Sequence, residues 1–214
     1  MPVRSPTPPP LSTAQKRMLL TVTVVIAMSR LLAPASSLMD WDEALFSLAV
    51  EEYEVPGHHP HPPGYPLFIV AAKLPHLFGV GEFRSLQMVV VFGAILLFPA
   101  CFAFARELGL SFHVAVAGAA IFSFLPNVWV YGGTAFSDVP ATTVVFAACA
   151  LLLRGRSDSR AFVLGAAVLG VAAGMRPTNL LIGAVPAVLS TVARLRAKSY
   201  GAGAAALGSG FVVT

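Results

Sequence analysis

The run LQMVVVFGAILLFPACFAFA, Leu86 to Ala105, decides the fold class. As a helix it is long enough, without a single charge, to cross the ~30 Å hydrocarbon core of a bilayer. Five similar runs accompany it: Met18 to Leu32, His113 to Tyr131, Val139 to Leu153, Ala161 to Met175 and Thr178 to Ala193. Hydrophobic residues make up 57% of the 214, charged ones 11%, and mean hydropathy is +0.78, too little polar surface to cover a soluble globule. The period-2 alternation of a membrane barrel is absent, so the spans are helices. The expected architecture is all-α, a polytopic transmembrane helical bundle.

Residues 1–17, rich in proline, read as a disordered cytoplasmic tail, and residues 18–214 as the membrane domain. Pro34 inside Ala33-Pro34-Ala35, and Arg30 just before it, argue against a cleaved signal peptide, so the first run is taken as an uncleaved span. Cys101 and Cys149 lie in apolar runs and read as small core residues. The chain stops at Thr214 within a glycine-rich apolar run that opens at Tyr200, which predicts the start of a seventh span and an amino-terminal part of something longer.

The net charge of +4 marks topology here and calls for no nucleic acid. The run Tyr65 to Phe78 is short for a span and contains Lys73 and Pro75. If it lies at the interface, Arg4, Lys16, Arg17, Arg106, Arg154, Arg156, Arg160, Arg194, Arg196 and Lys198 share one side, as the positive-inside rule requires. Residues 39–83 then form an extracytoplasmic loop with interfacial helices, and Asp138 and Arg176 face the same outer side. The expected location is a multi-pass protein of the bacterial inner membrane.

Within that loop, Asp40 to Pro66 holds six of the ten acidic residues and three of the five histidines. Asp40-Trp41-Asp42-Glu43 has the spacing of a capping box, with Asp40 as the N-cap and Glu43 third in the helix. Phe46, Ala49, Val50 and Tyr53 recur on one face of it. Asp42 follows the interfacial anchor Trp41, and a carboxylate at a lipid boundary suits a general base; a first-turn dipole interaction is the weaker alternative. His58, His59 and His61 complete no four-ligand set, so no metal site is assigned. No cofactor is assigned, and a divalent cation is left open. His61-Pro62-Pro63-Gly64-Tyr65-Pro66 reads as a backbone device, with prolines fixing an extended approach and Gly64 permitting an unusual dihedral. Ser137 or Asp138 can cap the helix that follows. Arg176 interrupts some thirty mostly apolar residues, a costly cation unless it snorkels, lines a polar cavity or grips an anion. Arg30 carries the same choices.

Asp42-Glu43 on an outer loop, then His61-Pro62-Pro63-Gly64-Tyr65-Pro66-Leu67, Leu77-Phe78-Gly79, Arg84, Ser137-Asp138-Val139-Pro140 and Gly174-Met175-Arg176-Pro177 together resemble the GT-C superfamily of membrane glycosyltransferases. The protein O-mannosyltransferases and the lipid A aminoarabinose transferases belong to it. The resemblance covers Met18 to about Ala193. It implies transfer of a sugar from a polyprenyl-phosphate donor to a protein, lipid or glycan acceptor on the outer face, with inversion. It makes Asp42 the base and Glu43 a residue that orients the acceptor or helps bind a metal. Arg176 would meet the donor phosphate, with Lys73 and Arg84 as lesser candidates, and Asp138, His61 and Tyr65 complete the substrate-binding set. A transporter or lipid flippase and a non-catalytic assembly subunit are the competing readings. They part from the enzyme on whether Asp42 and Arg176 meet in one outer cavity.

Overall fold

A computed structural model describes residues 8–210, with side chains to residue 197. Its helices are α1 (Thr13–Leu32), α2 (Trp41–Glu51), α3 (Pro66–His76), α4 (Glu82–Glu107), α5 (Phe112–Ser123), α6 (Pro126–Tyr131), α7 (Asp138–Arg154), α8 (Ser159–Met175) and α9 (Asn179–Gly210). No strand occurs among the described residues, only an isolated bridge between Glu54 and His59.

α4 and α7 form the central pair. They approach closely because Gly93 presents no side chain: a Cβ there would lie 2.6 Å from the Pro140 Cα. α1 and α5 pack on α4, α8 and α9 on α7, and α2 and α3 lie across the beginning of α4. At 11 residues, α2 and α3 each extend only ~17 Å, short of a bilayer crossing. They share one core with α4, α7 and α8, centred on Phe46, Phe68, Ile69, Leu86 and Val90.

Two helical stretches, Glu82–Glu107 and Asn179–Ala197, are long and apolar enough to cross a membrane. α1 has the length but carries Lys16, Arg17 and Arg30. Large apolar side chains face outward along the bundle, Leu20 at 65% exposure and Leu181 at 77%, while Arg30 at 1% and Glu43 at 0% are enclosed.

Three boundaries differ from the sequence reading. α1 begins at Thr13, inside the expected tail, because Ser12 and Gln15 form a complete capping box. The run His113 to Tyr131 is broken into α5 and α6 at Pro126, which starts a new helix at its first position. The sixth run and the one opening at Tyr200 are one helix, α9, even though Pro186 lies within it.

Charges divide between the two ends of the bundle. Asp42, Asp138 and Arg176 gather at one. At the other, the Arg156 Nη2 donates to the Glu107 carbonyl at 3.2 Å, and Arg194 donates to the Gly155 carbonyl at 3.0 Å and the Ser159 hydroxyl at 2.7 Å.

Candidate active site

A cavity of about 490 Å³ opens at the acidic end, between α2, the start of α3, α6, the start of α7 and the end of α8. Asp40, Asp42, Tyr65, Asp138 and Arg176 supply its charged and phenolic lining, with Asn127 and Tyr131 from α6. Leu97, Phe122, Val128 and Val139 form its apolar wall. Three carboxylates and one guanidinium thus meet in one space.

Asp40 caps α2, accepting from the Asp42 N–H at 3.3 Å. The reciprocal half of the expected box is displaced by one residue, because Glu43 reaches the Met39 N–H at 2.5 Å rather than that of Asp40. Its other oxygen accepts from the Ala135 N–H at 2.7 Å. Glu43 is therefore enclosed and saturated, and its carboxylate ties the α6–α7 loop to the beginning of α2. It holds Asp42 opposite Asp138 and does not itself line the cavity.

Asp42, one residue earlier on the helix, points outward with nearly half its side chain exposed. Its neighbour is His61, whose Nδ1 lies 3.8 Å from Oδ1, with Nε2 3.2 Å from the Tyr65 hydroxyl. The Phe46 ring packs edge-on against Tyr65 at 5.1 Å and tilted against His61 at 5.4 Å, which fixes both rings. Tyr65 itself is held in the left-handed region at φ 46°, between Gly64 at φ 96° and Pro66. Glycine is favoured before it because φ 96° strains any residue with a Cβ, whatever the space around it. Burial, opposed by the Arg176 charge and assisted by Asp138 and Asp42, pushes the Tyr65 phenol above its ordinary range. At neutral pH it is a donor.

Asp138 stands in the first turn of α7, but the capping role expected for it and Ser137 is not realised. Ser137 makes no side-chain cap bond and its buried hydroxyl has no partner. Asp138 instead pairs with Arg176 Nη1 at 2.6 Å. Arg176 is the C-cap of α8, in a tight connection to α9 that Asn179 anchors by donating to the Ala141 and Ala172 carbonyls at 3.1 Å each. The arginine is therefore paired with a carboxylate at the cavity wall.

Lys73 and Arg84 lie outside this lining. Arg84 donates to the Ala35 carbonyl at 3.1 Å and to the Gln87 side chain at 2.5 Å, and Gln87 in turn bridges the Ala35 and Gly133 carbonyls at 2.8 Å. That network shapes the loops behind the cavity, the reason Arg84 is spent on backbone. Arg30 does similar work, donating to the carbonyls of Ser123 at 2.6 Å and of Trp129, and so satisfying the helix ends exposed where α5 breaks. Among the described residues no three His, Cys, Asp or Glu side chains come close enough to hold a metal ion.

The sequence reading missed Asn127 and Tyr131, whose signal was Pro126 starting a new helix, and Asn179, which sits just after Arg176-Pro177. Chemically the site offers a carboxylate whose neighbour is an imidazole, a neutral phenol, and a guanidinium held in place by a second carboxylate. Comparison of the chain with protein-family models, with curated proteins and with solved structures returns no match.

Proposed function

We propose that the chain is a multi-pass membrane glycosyltransferase of the GT-C kind, moving a sugar from a polyprenyl-phosphate donor to an acceptor hydroxyl on the outer face of a bacterial plasma membrane. The observation that carries this reading is the meeting of Asp42 and Arg176, 134 positions apart, in one cavity at the end of the bundle away from the arginine-rich loops. A partner-binding loop has no need of that convergence. The outward-facing apolar surface and the enclosed Arg30 and Glu43 support a lipid surround.

Inverting transfer needs a base on one face of the anomeric carbon and stabilisation of the leaving phosphate on the other. Asp42 takes the acceptor proton. Arg176, steadied by Asp138, and the Tyr65 phenol donate to the phosphate oxygens as negative charge develops. His61 keeps Asp42 and Tyr65 in register. Glu43 contributes by holding Asp42 in place.

The test uses membranes containing the full chain, following release of polyprenyl phosphate with transfer of labelled sugar. Asp42→Asn lowers turnover roughly 10²-fold with unchanged expression. Asp40→Asn, which keeps a good N-cap, is nearly silent. Arg176→Ala weakens donor use more than acceptor use. Full transfer by Asp42→Asn rejects the assignment, and movement of intact lipid-linked sugar without release of the phosphate establishes a flippase instead.

A further inference from the structure

A second cavity, of about 370 Å³, lies at the opposite, basic end of the bundle. α4 and α7, tightly packed at Gly93 and Pro140, leave it between them near their last turns. Its floor is made by small residues on facing helices, Ala100 and Ala103 on α4 and Ala147 and Ala150 on α7. Small residues ordinarily let two helices close on each other; here they leave a slot lined by methyl groups. Its mouth carries Arg106 and Arg154, with Pro8 and Pro9 at one edge.

Topology signalling alone places no constraint on where these guanidinium groups point, yet both line the slot. Arg106 uses one amino group in the turn that follows α4, donating to the Leu110 carbonyl at 2.7 Å, and its buried Nε has no partner. No hydrogen bond engages the Arg154 side chain among the described residues. Glu107 is the acidic group beside them, so the two arginines leave the mouth with an excess of one positive charge, and Arg156 lies close enough to act on Glu107 from outside the lining. An apolar slot between helices under a cationic mouth matches one ligand chemistry: a phosphate ester continued by an acyl chain.

We infer that this cavity binds an anionic phospholipid, its phosphate between Arg106 and Arg154 and one acyl chain in the alanine-lined slot. The inference rests on the membrane placement proposed above and is independent of the sugar chemistry. The site is remote from Asp42, and the lipid acts there as a wedge that holds α4 and α7 apart at this end.

The full chain, purified in a mild detergent, is tested by native mass spectrometry and by melting, with phosphatidylglycerol, phosphatidylcholine or inorganic phosphate added. The expected result is one retained phosphatidylglycerol and a higher melting temperature with that lipid only. Arg106→Gln with Arg154→Gln weakens retention on the order of tenfold, as loss of charge-assisted contacts requires. Ala103→Leu with Ala147→Leu keeps both arginines and fills the slot, so it abolishes retention even if the arginine variant folds poorly. Arg160→Gln, outside the slot, changes nothing. Equal retention of the two lipids, or protection by inorganic phosphate that survives the filled slot, overturns the proposal. Recovery of the chain in the soluble fraction overturns the membrane placement instead, a separate outcome.

Discussion

Removing the Glu43 carboxylate separates holding from chemistry. Its two oxygens accept the Met39 and Ala135 N–H groups at 2.5 and 2.7 Å in a fully enclosed position. A hydrogen bond to a charged group contributes about 1.5–3 kcal/mol, so Glu43→Ala, which strands the buried Ala135 N–H and the part-buried Met39 N–H, costs about 2–5 kcal/mol. Glu43→Gln keeps one acceptor and turns an NH₂ group toward the other N–H, for about 2–3 kcal/mol. At ~2–4 °C per kcal/mol for a chain of this size, the glutamine variant melts roughly 5–10 °C lower. Tryptophan fluorescence reads the transition, and hydrogen exchange reads the Ala135 amide, whose protection falls in the same variant. Asp42→Asn shifts neither, because its carboxylate is outward and accepts no backbone bond. Glu43→Gln melting within a degree of the unmodified chain refutes the clamp, and normal melting with lost sugar transfer moves Glu43 back into the chemistry.

The Tyr65 phenol, raised chiefly by burial, titrates above its ordinary value of 10.0 in ultraviolet difference spectra, and Arg176→Ala moves it further up because that cation opposes the shift. Its neutral form is the one the fold favours, so its contribution to stability is complete below pH 10 and declines as pH rises through the elevated value. Gly93→Leu drives a side chain into the Pro140 backbone and lowers stability by about 1–3 kcal/mol in thermal melts, whereas Gly118→Leu, which faces open space, has little effect. Under the proposed topology, single cysteines at Gly81 and Ser157 react with impermeant reagents from opposite faces of the membrane, Gly81 from outside; labelling of Gly81 from the cytoplasm alone reverses the placement of the site.

Hydropathy and charge spacing made the helical class and the acidic loop legible, because both are properties of residue type alone. The unusual dihedral expected of Gly64, φ 96°, was legible for the same reason. The extended approach expected of Pro62 and Pro63 is instead a turn closed by the Gly64 N–H on the His61 carbonyl at 3.1 Å, and the left-handed Tyr65 had no signal in its residue type. Individual roles were less legible. Asp42 and Glu43 are adjacent and chemically alike, yet a 100° step around α2 turns one to the cavity and the other to the Met39 and Ala135 amides. Nothing in the residues themselves says which. Arg84 and Arg176 were both read as phosphate ligands; Arg84 is taken up by the Ala35 carbonyl and Gln87, a long-range pairing that local pattern cannot reveal.

Arg176 and Asp138 show where that limit matters most. Each alone had a sufficient local explanation, snorkelling for one and a helix cap for the other, and neither foretells the ion pair they form. Their pairing at 2.6 Å leaves Ser137 without its capping role and brings the end of α8 to the beginning of α7. A salt bridge with both partners about a third to half exposed contributes little to stability. Its value lies in orientation: a guanidinium held by one carboxylate presents its remaining donors to the cavity in a fixed fork. Asp138→Asn accordingly leaves melting nearly unchanged while loosening the arginine. Under the proposed chemistry it raises the donor concentration needed for half-maximal rate, with a smaller effect on the limiting rate. An equal fall in both Asp138→Asn and Asp42→Asn limiting rates, with donor dependence unchanged, assigns Asp138 to proton transfer and not to the phosphate.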